Sequence, residues 1–214
     1  MNRLNVILLS IIVLSMSPML YSARYGLFVG LDEYQSPGNR LFSCVNDANG
    51  IRNKLLTDTT RWSSANMTTY LNSAGTKSAV RSKIAALAAQ AVSGDVVIFY
   101  QSSHGMQVSG TSACLVMYDS STSYAPSMYQ DTEFASDISA FASGVTLIVF
   151  IDACFSAGMY KSGGTDETQS WNFANNVMQA LSDIREKSAA PATKSPNIGW
   201  IDRKSTRLNS SHRI

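Results

Sequence analysis

Histidine is nearly missing from this sequence. Two occur in 214 residues, His104 and His212, so imidazole chemistry in the body of the chain falls to His104 alone. Cysteine is scarce as well, with Cys44, Cys114 and Cys154 only. That odd number excludes a fully paired disulfide framework and leaves at least one thiol unpaired in an exported chain. Clusters of Lys and Arg are absent, which removes the electrostatic footprint of a nucleic-acid binder. Neither GxGxxG nor a P-loop occurs, so a ligand-binding domain built around a phosphate has nothing to stand on. The apolar run over 6–16 falls short of the roughly 18–20 residues needed to span a bilayer. Internal repeats are absent too.

What is present supports one sizeable core. Hydrophobic residues make up 45% of the chain, enough at this length for a single domain. Residues 1–23 read as a secretory signal peptide. Arg3 supplies the positive start, 6–16 the apolar stretch, and Pro18, Ser22 and Ala23 the cleavage zone. The mature protein is then expected to be secreted or periplasmic, with no membrane attachment once the signal is removed. At the other end, "DRKSTRLNSSH" has no hydrophobic period and reads as an adapter sequence translated in frame, so residues 202–214 are set apart as an artefact tail. The domain is accordingly expected over 24–201, incomplete on its C-terminal side. The tail carries a net charge of +3, so the formal +2 of the chain falls to −1 without it and to −2 once Arg3 leaves with the signal. The basic balance of the whole chain therefore says nothing about nucleic acid.

Between those ends, strand and helix patterns alternate. "RYGLFVGLDEY" (24–34) predicts a strand. "NDANGIRNKLLTD" (46–58) predicts a helix with Asn46 or Asp47 near its cap and Ala48, Ile51 and Leu55 inward. A short strand at 66–72 precedes a helix over 76–92, with Val80, Ile84, Leu87 and Ala91 at helical spacing and Gly94 closing it. "DVVIFYQSS" (95–103) opens the next strand, "SACLVMYD" (112–119) a short strand or hairpin, and "QDTEFASDISAFA" (130–142) a helix. "VTLIVFI" (145–151) reads as a strand buried on both faces, followed by a linker over 161–170, a helix over 171–187 and the start of a strand at "NIGWI". This order means an α/β fold with a mainly parallel sheet and helices on both faces.

The chemistry gathers where two of these strands end, since working residues of open parallel sheets sit at the carboxyl ends of strands. One end reads "YQSSHG" and carries His104; the other reads "IDACFSAG" and carries Cys154. A thiol becomes a nucleophile with a base beside it, and a histidine at a neighbouring strand end supplies one. Buried strands do not ordinarily end by carrying a carboxylate and a thiol out of the core. Asp152, two positions before Cys154, points to the same strand end and the same side.

"DVVIFYQSSHG" followed by "VTLIVFIDACFSAG" resembles the caspase-fold cysteine peptidases, most closely the metacaspase-like branch. His104 precedes Cys154 by fifty positions, the caspase spacing, and "SCVNDANGIRNKL" is similar to a third block of the family. Gln101, Ser103, Phe155, Ala157 and Ser43 depart from its motifs. The resemblance implies a caspase-like three-layer sandwich and a cysteine endopeptidase, with His104 as general base and Cys154 as nucleophile. It also implies an oxyanion hole from the backbone N–H groups of Gly105 and Cys154. Asp152 and Asp47, with Ser102 and Cys44 alongside, would line the pocket for the residue before the cut. Two carboxylates there select Arg or Lys, so the implied partners are proteins or peptides with a basic residue before the scissile bond. Family members often bind calcium. Asp119, Asp131 and Glu133 are candidate ligands here, but Thr132 and Lys161 stand where the pattern has carboxylates, so no cofactor is expected. The rival reading is a caspase-fold pseudoenzyme acting as a binding or scaffold module. Loss of the Cys or His would mark it, and both are present. Asn66 begins a glycosylation sequon that matters only in a eukaryotic secretory pathway.

Overall fold

Alternation along three strands sorts the core into two layers around one sheet. A computed structural model describes residues 22–36, 38, 40–109, 112–121, 123–154, 167–187 and 196–202. The strands are β1 (Arg24–Gly30), β2 (Met67–Leu71), β3 (Val96–Ser109), β4 (Ser112–Leu115), β5 (Tyr129–Gln130), β6 (Thr146–Cys154) and β7 (Asn197–Asp202). The helices are α1 (Cys44–Leu56), α2 (Lys77–Gln90), α3 (Asp131–Ile138) and α4 (Glu167–Lys187). On one face of the sheet Phe28, Ile98 and Tyr100, with Ile148 and Phe150, pack beneath Ala48, Ile51 and Leu55 of α1. On the other, Leu27, Val29, Phe99, Leu147, Val149 and Ile151 pack against apolar residues of α2, α3 and α4. Helices on both faces of a mainly parallel sheet make the expected α/β sandwich.

The parallel strands lie in the order β2-β1-β3-β6-β7. The chain steps outward from β1 through α1 to β2, then returns through α2 to β3 on the other side of β1. That reversal puts the topological switch between β1 and β3, so the crevice opens at their carboxyl ends. Gly30 closes β1 without a side chain for a reason of space: a Cβ there would stand 2.5 Å from the Cys44 carbonyl oxygen and 2.9 Å from the Ala48 Cβ. The glycine lets the first turn of α1 lie directly on the strand end. Gly94, at φ +95°, makes the left-handed turn from α2 into β3.

Several boundaries differ from those expected. β1 stops at Gly30 rather than Tyr34, because Asp32 turns to serve the next helix. Its carboxylate accepts from the N–H groups of Cys44 (2.8 Å) and Val45 (3.4 Å), so α1 is capped from across the loop and begins at Cys44. Asp47 therefore lies inside the first turn and is not the cap. β3 does not stop at Ser103 but runs on to Ser109, since β4 supplies an antiparallel partner from Gly105 onward. α4 starts at Glu167, inside the expected linker, of which 161–166 lie outside the described residues. Asp202, assigned to the tail, is the last residue of β7. Of the expected signal segment, Ser22 donates to the Gly94 carbonyl and Ala23 N–H to the Asp95 carboxylate. Residues 1–21 and 203–214 lie outside the described residues. No helix among those described is long and apolar enough to cross a membrane.

Candidate active site

β3 changes partners at the crevice, and His104 sits at the change. On one edge its neighbour is β1, whose pairing ends at Gly30↔Ser102 and with Leu31 N–H donating to the Ser102 carbonyl at 3.0 Å. β4 takes over on the same edge, with Val116 N–H donating to the His104 carbonyl at 2.9 Å. On the other edge β6 runs parallel through Ser102↔Asp152 and Ser103↔Ala153 to a last rung, His104↔Cys154. Neighbouring strands lie about 4.8 Å apart, so the two residues singled out for chemistry are adjacent across the ladder. The description of Cys154 ends at its backbone, and 155–160 lie outside the described residues. Successive peptide groups of a strand face opposite edges. Since the His104 carbonyl faces β4, the N–H of buried Gly105 faces the β6 edge, where Cys154 stands. That is the direction an oxyanion donor needs.

The residues expected to line an acidic pocket come together beneath α1. Ser102 is fully buried and Asp152 is 8% exposed on the sheet, while α1 contributes buried Cys44 and half-buried Asp47. Tyr100, two residues before Ser102 on the same face of β3, ties them to one place. Burial pushes its hydroxyl well above the usual phenol range, and the Asp152 and Asp47 carboxylates push it further in the same direction. Tyr100 thus lies within electrostatic range of carboxylates from two different elements. Ser102 works weakly the other way on Tyr100, but its Oγ makes no hydrogen bond of regular geometry among the described residues. The buried Ser102 hydroxyl is thus a polar group on this face that a further partner could satisfy.

Cys44 and Cys114 stand outside any disulfide. The Cys114 thiol is pushed up to about 12, first by burial and then by Asp131 and Glu133, which leaves it inert as a nucleophile. The residues considered for calcium are committed elsewhere. Asp119 accepts from the Lys77 N–H at 2.9 Å, at the start of α2. Asp131 accepts from the Ala113 N–H (2.9 Å), the Thr132 N–H (2.7 Å) and the Asn176 side chain (2.6 Å). Glu133 binds Lys77 at 2.7 Å and Arg81 at 3.2 Å. Carboxylates held by protein donors and cations do not fit a site that needs several hard oxygen ligands converging on one ion. Among the described residues no group of three or more His, Cys, Asp or Glu side chains is placed to hold a metal. Lys161 lies outside the described residues.

Three residues of the site escape a reading of the sequence. Tyr100 was within reach of it, because strand alternation puts residue 100 on the face of Ser102 and His104. Asp32 and Tyr34 were not, since each acts across a fold-dependent distance. Tyr34 accepts a hydrogen bond from the His104 N–H at 2.7 Å, seventy positions away in sequence.

The family model of the caspase domain matches residues 23–207. No curated protein matches the chain. Among solved structures, the crystal structure of a protein from Geobacter sulfurreducens is similar in fold, with a TM-score of 0.56 and 20% identity over 84% of this chain and 72% of that one.

Proposed function

This chain belongs to the caspase-domain family, and from that premise we propose that it is an exported cysteine endopeptidase of the metacaspase-like branch that cuts after Arg or Lys. The observation that carries the reading is the last rung of the β3–β6 ladder, His104↔Cys154, with Ser102↔Asp152 two residues before it. One pair serves the chemistry and the other the recognition.

In this mechanism His104 takes the proton from the Cys154 thiol as sulfur attacks the scissile carbonyl carbon. The carbonyl oxygen, now negative, is met by the N–H groups of Gly105 and Cys154. Collapse of the adduct breaks the C–N bond, and His104 returns the proton to the leaving amine. Water, deprotonated by the same imidazole, then hydrolyses the thioester and regenerates the thiol. The basic side chain before the cut enters beneath α1 and meets Asp47 and Asp152, with Ser102 and the neutral Tyr100 hydroxyl as further partners. An acidic side chain there would face like charge, and an apolar one would offer the two carboxylates no opposite charge. No calcium requirement is proposed, because Asp119, Asp131 and Glu133 already serve as hydrogen-bond and ion-pair partners. Export rests on the apolar run over 6–16.

A thiol-reactive peptidyl probe carrying Arg tests the assignment. It should label the wild type at Cys154, fail on Cys154→Ala, and react much more slowly when its Arg is replaced by Asp. Labelling that survives Cys154→Ala would overturn the nucleophile. A protein that takes no probe and cleaves no peptide, yet binds one, would instead be the scaffold module.

A further inference from the structure

We propose that Tyr34 is the positioning residue of the proposed base, holding His104 by its backbone and by its ring. The inference rests on the dyad reading above. Its origin is a gap on one edge of β3. β1 pairs with β3 up to Ser102, and β4 pairs with it from Gly105. The His104 peptide faces that edge between the two partners. Its carbonyl is met by the Val116 N–H at 2.9 Å. An antiparallel pair would return the second bond to Val116; here the His104 N–H donates to the Tyr34 hydroxyl at 2.7 Å. The phenol fills a rung of the sheet at the residue whose side chain must be aimed.

The same tyrosine restrains the side chain. Its ring lies against the imidazole with centroids 5.2 Å apart at a 36° tilt, which limits rotation of the His104 side chain. Tyr34 can do this because its own segment is tied down on both sides. Asn72 Oδ1 accepts from the N–H groups of Asp32 (2.9 Å) and Glu33 (3.2 Å), and the Gln35 N–H donates to the Tyr118 carbonyl at 2.9 Å. Asn72 reaches into the loop from a left-handed turn at φ +47°. The tyrosine is therefore a fixed stop, and the imidazole is aimed by a residue that does not itself touch substrate.

A double-mutant cycle between Tyr34→Phe and His104→Ala on the full chain tests this. The readout is the rate at which iodoacetamide alkylates Cys154, followed by peptide mapping from pH 6 to 9. Alkylation reports thiolate formation beside the imidazole without using a peptide substrate. Removing one hydroxyl that holds the base should slow alkylation at neutral pH by about three- to tenfold. In the His104→Ala background the same removal should change the rate less than about twofold, because the tyrosine acts through the histidine. A general loosening of the fold would act in both backgrounds, so equal slowing in both overturns the positioning role, as does no slowing in either. If His104→Ala itself leaves the alkylation rate and its pH profile unchanged, the dyad fails and the Tyr34 inference falls with it. If His104→Ala slows the reaction and Tyr34→Phe does not, the dyad stands and Tyr34 is no more than packing.

Discussion

Asp152 is 8% exposed at the end of β6, in register with buried Ser102 of β3. The chain keeps it beside Tyr100, within reach of a second carboxylate from α1. In the proposed reading, a basic substrate side chain brings an opposite charge to both carboxylates. In the proposed mechanism His104 and Cys154 carry the chemical step, so His104→Ala and Cys154→Ala should each lower peptidase turnover by at least about a thousandfold. The melting temperature of His104→Ala should stay within a few degrees of wild type, since His104 is half-buried and outside the core. Turnover near wild-type rate in either variant would remove that residue from the mechanism. As candidates, these two residues stand out in the sequence because imidazole is so rare in it and because both come late in apolar strands. Asp32 and Tyr34 do not, since a carboxylate or phenol in a loop looks the same whatever it later touches. Tyr34 finds its partner only when β1 and β4 leave a rung of β3 open.

α1 is the element that brings half of the pocket to the sheet, and its seat depends on contact at the end of β1. An Ala Cβ at position 30 would lie 2.5 Å from the Cys44 backbone oxygen, a contact that no side-chain rotation relieves. Gly30→Ala should therefore destabilise the fold by about 1–3 kcal/mol through overpacking. A calorimetric scan should show a melting temperature lower by about 3–10 °C for a domain of this size. It should also weaken cleavage after Arg, because Asp47 moves with the helix. Gly50, on the same helix with nothing within 4 Å of its would-be Cβ, is the control: Gly50→Ala should leave the melting temperature equal or higher. If both substitutions behave alike, the close seat of α1 does not matter. Element by element, the apolar strands and α2 were readable because hydrophobic period and local caps agree, as with Thr76 accepting from the Ala79 N–H at 3.2 Å. The start of α1 and the length of β3 were not. One is decided by a carboxylate from another segment, and the other by a partner strand that exists only once the chain has turned back.

At the scale of the molecule, the strand order β2-β1-β3-β6-β7 brings the candidate residues of β3 and β6 to neighbouring strand ends. The reversal between β1 and β3 opens the sheet at their carboxyl ends, with α1 on one side and the β3–β6 ladder on the other. The alternation of strands and helices made the α/β class legible, but the sequence could not say that β6 would lie against β3 in the register His104↔Cys154. That register is set by long-range pairing. Glu133 and Asp137 hold the α2 and α3 layer together, where Lys77 and Arg81 bind Glu133 and Arg81 also binds Asp137 at 2.7 Å. Peptidase activity should accordingly be the same in excess chelator and in millimolar calcium, and a strict calcium requirement in an activity titration would show that ligands other than Asp119, Asp131 and Glu133 are used. The central claim, that Asp47 and Asp152 form an acidic pocket serving the dyad, is tested most directly by cleavage of a peptide library varied at the residue before the scissile bond, by wild type and Asp152→Asn. Removing one carboxylate of a partly buried pair costs about 2–5 kcal/mol of binding to a charged partner. The wild type should therefore cut after Arg and Lys, and Asp152→Asn should lower kcat/KM for those peptides more than tenfold while Cys154 still reacts with iodoacetamide. A wild-type preference for Asp, or an Arg preference that Asp152→Asn leaves unmoved, would contradict the acidic pocket.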